Sequence, residues 1–129
     1  MLKAGILNPG INSLISRIRH TNTLVIADRG FPFWPQIETV DISLTDDIPR
    51  VLDVLRAIRG NFSIGRIFMA QEFLSVNDAG TKREFENVLD ELTVMYEPHD
   101  SFKTRVPPAI GLIRTGDTVQ YANMILESA

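Results

Sequence analysis

His20-Thr21-Asn22-Thr23-Leu24-Val25-Ile26-Ala27-Asp28-Arg29-Gly30, residues 20–30, is the stretch on which the fold turns. Thr23 to Ala27 is short, uncharged and rich in apolar and β-branched residues. With no polar alternation and too few residues for an ordinary helix, it reads as a strand buried on both faces. It stops at Asp28-Arg29-Gly30, where a polar loop begins. A strand of this kind needs cover above and below, so the flanking sequence should supply helices.

Upstream, Ile11, Leu14, Ile15 and Ile18 recur at helical spacing, and Asn8-Pro9 offers a cap followed by a proline at the first helical position. Downstream, Phe31-Pro32-Phe33-Trp34-Pro35 cannot continue a central strand, because its prolines lack the N–H donor. An irregular wall segment is expected there. Thr39 to Leu44 alternates well enough for a second strand, and Thr45-Asp46-Asp47 supplies a cap and an acidic first turn. Ile48, Val51, Leu52, Leu55 and Ile58 then form the core stripe of a second helix, which Gly60-Asn61 ends. Ile64 to Ala70 predicts a strand, Phe85, Val88, Leu89 and Leu92 a third helix, and Thr93 to Tyr96 another strand. Pro98 to Val106 predicts a short helix. Ala109 to Arg114 and Gln120 to Leu126 read as strands, and the turn residues Thr115-Gly116-Asp117 between them predict an antiparallel hairpin. The resulting fold class is α/β: a three-layer sandwich with a mostly parallel, mixed central sheet and helices on both faces, in a single domain spanning residues 1–129.

Composition narrows the functional classes. With 44% hydrophobic and 22% charged residues, the chain has globular rather than disordered proportions. The net charge is −3 and the 13 basic residues are scattered, which argues against a nucleic-acid partner. No cysteine is present, so disulfides and thiolate metal sites are excluded, and a reducing compartment fits. The longest apolar runs fall far short of the roughly 20 residues of a membrane span. Residues 1–10 lack the features of a secretion signal, and together these readings point to the cytoplasm without membrane association.

There is no glycine-rich phosphate loop, no dinucleotide fingerprint and no histidine pair on one helical turn. The two histidines, His20 and His99, both lie at edges of predicted elements, where a polar side chain can reach a cleft. Asp28 stands at the carboxyl end of the first strand, the place where open α/β sheets form their clefts. A histidine beside a carboxylate suits proton transfer near neutral pH, so Asp28 is expected to orient His20. A lone histidine is nevertheless more often a surface or structural residue. The two histidines with Asp28 make a weak metal set, and no metal is expected. Phe31, Phe33 and Trp34 can stack on a ligand or pack the core. Tyr121 and Asn123 alternate around Ala122, which would place a phenol and an amide on one sheet face.

Several of these residues lie in longer matching segments: Gly5-Ile6-Leu7-Asn8, Ile15-Ser16-Arg17, His20 to Val25, and Asp28 with Gly30 and Pro32. The match continues through Asp41 with Leu44, His99 with Phe102-Lys103, Arg114-Thr115-Gly116-Asp117 and Tyr121 to Leu126. In these the chain resembles the ribose pyranase and fucose mutarotase family, and around His99 it is more similar to the ribose pyranase branch. The resemblance implies a cofactor-free isomerase that interconverts ring forms or anomers of a free monosaccharide. By position, it makes His20 the proton donor and Asp28, His99, Tyr121 and Asn123 the holders of sugar hydroxyls. It also implies a ring-shaped homo-oligomer, such as a decamer of two pentamers, with sites at subunit interfaces. Arg29 stands where ribose pyranases tend to carry a small residue; it is expected beside the sugar as an added substrate-binding cation, or else turned outward to an acidic partner. The competing class is a non-catalytic sugar-binding accessory of a transport or utilisation system.

Overall fold

The structure, a computed structural model, describes residues 1–129. Its elements run α1 (Pro9–Arg17), β1 (Thr23–Ala27), β2 (Glu38–Asp41), α2 (Val51–Arg59), β3 (Ile64–Ala70), α3 (Glu72–Val76), α4 (Ala79–Leu89), β4 (Val94–Glu97), α5 (His99–Thr104), β5 (Gly111–Arg114) and β6 (Met124–Ser128). The six strands form one sheet in the order β2-β5-β1-β6-β3-β4. All pairs are parallel except those of β6, which runs antiparallel to β1 and β3. Five strands therefore end, and β6 begins, along one edge of the sheet.

Local chemistry explains the starts of two helices. Asn8 caps α1, its side chain accepting the Ile11 N–H at 3.0 Å, and Pro9 occupies the first helical position. Asp78 caps α4 by accepting the Thr81 N–H at 2.8 Å. Alternate residues of the strands face two separate cores. Leu24, Ile26, Ile67, Met69, Met124 and Leu126 pack under α1, α2 and α4 in the larger one. Val25, Ala27, Phe68, Leu112 and Ile125 pack under α5 and the segment from Phe31 to Ile37 in the smaller. Each fully buried Leu or Ile stabilises the fold by about 1.5–3 kcal/mol. This is the expected three-layer arrangement, with a thin second layer. No helix is long and apolar enough to cross a membrane.

Three sequence readings are corrected. β5 and β6 are not a hairpin: β1 lies between them, and the connecting segment passes over its end, where the Thr115 N–H and hydroxyl both donate to the Ala27 carbonyl at 2.9 and 2.8 Å. The second helix starts at Val51, not at the Thr45 cap. Residues 45–48 instead form a tight antiparallel bridge, with Ile48 53% exposed and Val54 in the core, because the residue before Pro49 is disfavoured in helix and the turn closes on Gly116. Finally, α3 was not expected; it buries Phe73 against Phe85, ring centroids 4.7 Å apart.

Candidate active site

The edge where β1 ends and β6 begins holds a cleft of about 300 Å³, lined by Asp28, Gly30, Phe31, Pro32, His99, Gln120, Tyr121 and Asn123. That is the small end of the roughly 300–1,000 Å³ range of small-molecule sites. β1 delivers Asp28, the turn ahead of β6 delivers Tyr121 and Asn123, and the first residue of α5, directly after β4, delivers His99. Four residues from three distant stretches of chain thus meet where the sheet topology leaves a crevice.

Asp28 and Asn123 interlock. The Asp28 N–H donates to Asn123 Oδ1 at 2.7 Å, and Asp28 Oδ1 accepts the Gly30 N–H at 3.0 Å. Burial raises the Asp28 pKa above the ordinary carboxylate value. Hydrogen bonds from the Gly30 and Phe31 N–H groups and the Asn123 side chain oppose that rise, and the Asp117 charge adds to it. Tyr121 adopts a left-handed backbone, φ 57°, before β6 begins at Met124. It reaches the cleft from a turn, not by strand alternation as its spacing from Asn123 suggests. For a bulky residue this conformation is uncommon and is the kind of local strain that clusters at functional sites. The Tyr121 ring meets His99 edge to face at 5.0 Å, and the Phe102 ring lies nearly parallel to that of His99 at 6.0 Å. His99 Nδ1 is buried without a partner, so its hydrogen-bonding capacity is unspent within the chain. Both carboxylate oxygens of Glu72 accept the His99 backbone N–H, at 3.1 and 3.0 Å, anchoring the residue from α3.

His20 lies elsewhere. It is exposed in the turn before β1, and the Thr21 N–H ties that turn to the Ser128 carbonyl at the end of β6. The five residues of β1, about 16 Å of extended chain at ~3.3 Å per residue, separate it from Asp28. Within one chain Asp28 therefore cannot orient His20, contrary to the sequence expectation. Arg29 also points away from the cleft: its guanidinium pairs with Asp46 at 2.6 Å, both side chains about 60% exposed. Phe31 is buried and forms part of the wall, Trp34 packs beside it at 6.2 Å, and Phe33 is 72% exposed. Sequence reasoning missed Gln120 at the cleft and Glu72 behind it. Gln120 was signalled only by adjacency to Tyr121, and Glu72 by nothing, since its contact is with a backbone group 27 positions away.

Comparison with known proteins places these features in a family context. Residues 1–129 match the model of the family described as "RbsD / FucU transport protein family". A D-ribose pyranase of Bacillus cereus (strain B4264) is 34% identical over 128 residues, 99% of this chain and 97% of its own length. A second, from strain ATCC 10987 / NRS 248, is 35% identical over the same span. The structure of Bacillus subtilis RbsD complexed with D-ribose superposes with a TM-score of 0.90 at 29% identity, covering 100% of this chain and 98% of the other. Fucose mutarotase from Streptococcus pneumoniae in complex with L-fucose shares the fold, with a TM-score of 0.78 at 22% identity and coverage of 99% and 98%.

Proposed function

The chain belongs to the RbsD/FucU family, and from that premise we propose that it is a sugar isomerase of the pyranase and mutarotase type, acting on a free monosaccharide without a cofactor. The observation that carries the reading is the convergence of Asp28, His99, Tyr121 and Asn123 on one small cleft in a chain whose full-length relatives are D-ribose pyranases. Ring opening breaks the bond between the anomeric carbon and the ring oxygen. It needs one proton delivered to that oxygen and one removed from the anomeric hydroxyl, and closure reverses both transfers after the carbonyl turns or another hydroxyl attacks. In this proposal Asp28, His99, Tyr121 and Asn123 hold hydroxyls, and His20 donates the proton. Because His20 and the cleft sit at opposite ends of β1, the donor comes from a neighbouring copy. The active form is thus a homo-oligomer with sites at subunit interfaces; a ring, such as the decamer of two pentamers, fits this demand, and the cytoplasm fits a cysteine-free enzyme of free sugars.

Magnetization-transfer NMR across a panel of free pentoses and hexoses tests the reading. Catalysed exchange between ring forms or anomers of at least one sugar is expected, with D-ribose the first to try. Binding without accelerated exchange would favour the accessory-protein reading.

Two further results are expected. Since burial raises the Asp28 pKa, its carboxylate takes up a proton at higher pH than a solvated aspartate. Sugar affinity should therefore fall on acidification, at a higher pH than a solvated aspartate would give, and Asp28→Asn should lose that limb. The sign for folding is opposite: a raised native pKa means that protonation relieves the burial penalty, so this group's contribution to stability improves as pH falls. Loss of affinity from Asp28 protonation is thus separable from acid unfolding by circular dichroism. The second result concerns Arg29. As it pairs outward with Asp46, Arg29→Ala should leave sugar affinity within about twofold and cost no more than about 1 kcal/mol in chemical denaturation. A changed sugar preference in this variant would return Arg29 to the binding site.

A further inference from the structure

Arg114 closes β5 and turns its guanidinium across the loop that follows β1. Its Nη1 donates to the carbonyls of Asp28 at 3.1 Å and Arg29 at 3.4 Å, and its Nη2 donates to the Pro32 carbonyl at 3.1 Å. Three carbonyls of one five-residue loop converge on a single cation, and no carboxylate forms an ion pair with it. The near end of the loop has other anchors, namely Asp28 N–H to Asn123, Gly30 N–H to Asp28 and Arg29 N–H to the Asp117 carbonyl. At Pro32, which has no N–H, the bond to Arg114 is the only hydrogen bond. Asp28, Gly30, Phe31 and Pro32, all on this loop, make up half of the cleft lining.

We propose that Arg114 is a positioning residue that sets the shape of the sugar cleft by clamping both ends of the 28–32 loop. The inference rests on the sugar-isomerase reading and deepens it. A planar fork spans two directions at once, whereas a lysine ammonium is a compact point charge on a flexible stem; Lys can hold one end of the loop but not both. The proton donor, His20, is not on this loop, so the clamp acts on binding more than on proton transfer.

The test compares Arg114→Lys and Arg114→Met with the full-length parent protein by amide hydrogen exchange, and by ring-form exchange kinetics with D-ribose. Losing hydrogen bonds to a charged donor should accelerate exchange at the Gly30 and Phe31 amides about tenfold in both variants, while amides within β1 and β5 keep their protection. KM should rise at least about fivefold, with kcat within about threefold of the parent. Unchanged loop protection, a fall in kcat at constant KM, or a lysine variant equal to the parent in both readouts would overturn the proposal. Should the methionine variant not fold, the lysine variant, which keeps the charge, decides the matter. If the parent protein itself exchanges no sugar ring forms, the functional reading fails, and loop protection still reports on the clamp.

Discussion

His20→Ala should reduce ring-form exchange by at least about 10²-fold, and by as much as 10⁴-fold, while sugar still binds within a fewfold of the parent affinity. The side chain is exposed and the turn that carries it is held by backbone bonds, so truncation removes the proposed proton donor and leaves packing intact. The separation of His20 from Asp28 by the length of β1 makes a sharper version possible. Co-expressed His20→Ala and Asp28→Asn chains, each inactive alone, should assemble into mixed oligomers in which an intact cleft meets an intact histidine. With equal, random mixing, half the clefts are intact and half the incoming histidines are, so about one quarter of the parent activity should return. If donor and cleft worked within one chain, every site would lack one of them and the mixture would stay inactive. Exchange measured by NMR on purified mixed assemblies separates the two cases.

The largest structural effect is expected at Gly116. A Cβ there would lie well inside contact distance of the Thr45 carbonyl oxygen and 2.9 Å from that of Ile48. Both obstacles are backbone, so neither can swing aside. The glycine also donates its N–H to the Pro49 carbonyl at 2.9 Å and accepts the Asp47 N–H, which fixes the spacing of the two segments. Gly116→Ala must push the 45–49 turn away from the segment that leads through Asp117 to Tyr121. The cost should be about 3 kcal/mol, lowering the thermal midpoint by roughly 10 °C. Asp117 adds to the damage: it is fully buried, and its carboxylate accepts the Val51 N–H at the start of α2 and the Val119 N–H, at 2.9 and 2.8 Å. Gly60→Ala is the control, since its Cβ would meet only the Ala57 carbonyl at 3.7 Å in an ordinary helical conformation. Calorimetry should find that variant unchanged or slightly more stable. Equal midpoints for both variants would show that the Gly116 contact relaxes.

The sequence was legible where one local force dominated. Thr23–Ala27 and Ile64–Ala70 have the bounds expected of them, because each is built on a four-residue apolar run, Leu24 to Ala27 and Ile67 to Ala70, that stops at a polar residue. The start of α1 was likewise written in Asn8-Pro9. What escaped was decided by contacts distant in sequence. The turn residues Thr115-Gly116-Asp117 look like a hairpin, yet they crest β1 because its free edge takes β6. The acidic run at Thr45 looks like a helix start until Gly116 is seen packed against it. At the site, Asp28, His99, Tyr121 and Asn123 were all named from sequence and do share a cleft, though Tyr121 enters from a turn. The pairing of His20 with Asp28 was misjudged because eight positions apart looks near, whereas a strand between them carries the chain from one end of the sheet to the other. The outward direction of Arg29 and the inward one of Arg114 depend on partners 17 and 86 positions away, which no local pattern encodes.

The place of β6 bears on how the molecule comes to exist. Without it, the sheet is two separate parallel pieces, β2-β5-β1 and β3-β4, with no strand-to-strand bond between them. β6 follows every other strand in the chain, so the strand that joins the two pieces is the last of the six in sequence. Until β6 pairs, β1 and β3 each present an unpaired inner edge, open to the wrong neighbour. The pairings that close the sheet are distant in sequence, which favours slow folding. The same strand brings in the turn bearing Tyr121 and Asn123, so a folding chain gains the cleft and the continuous sheet in one event.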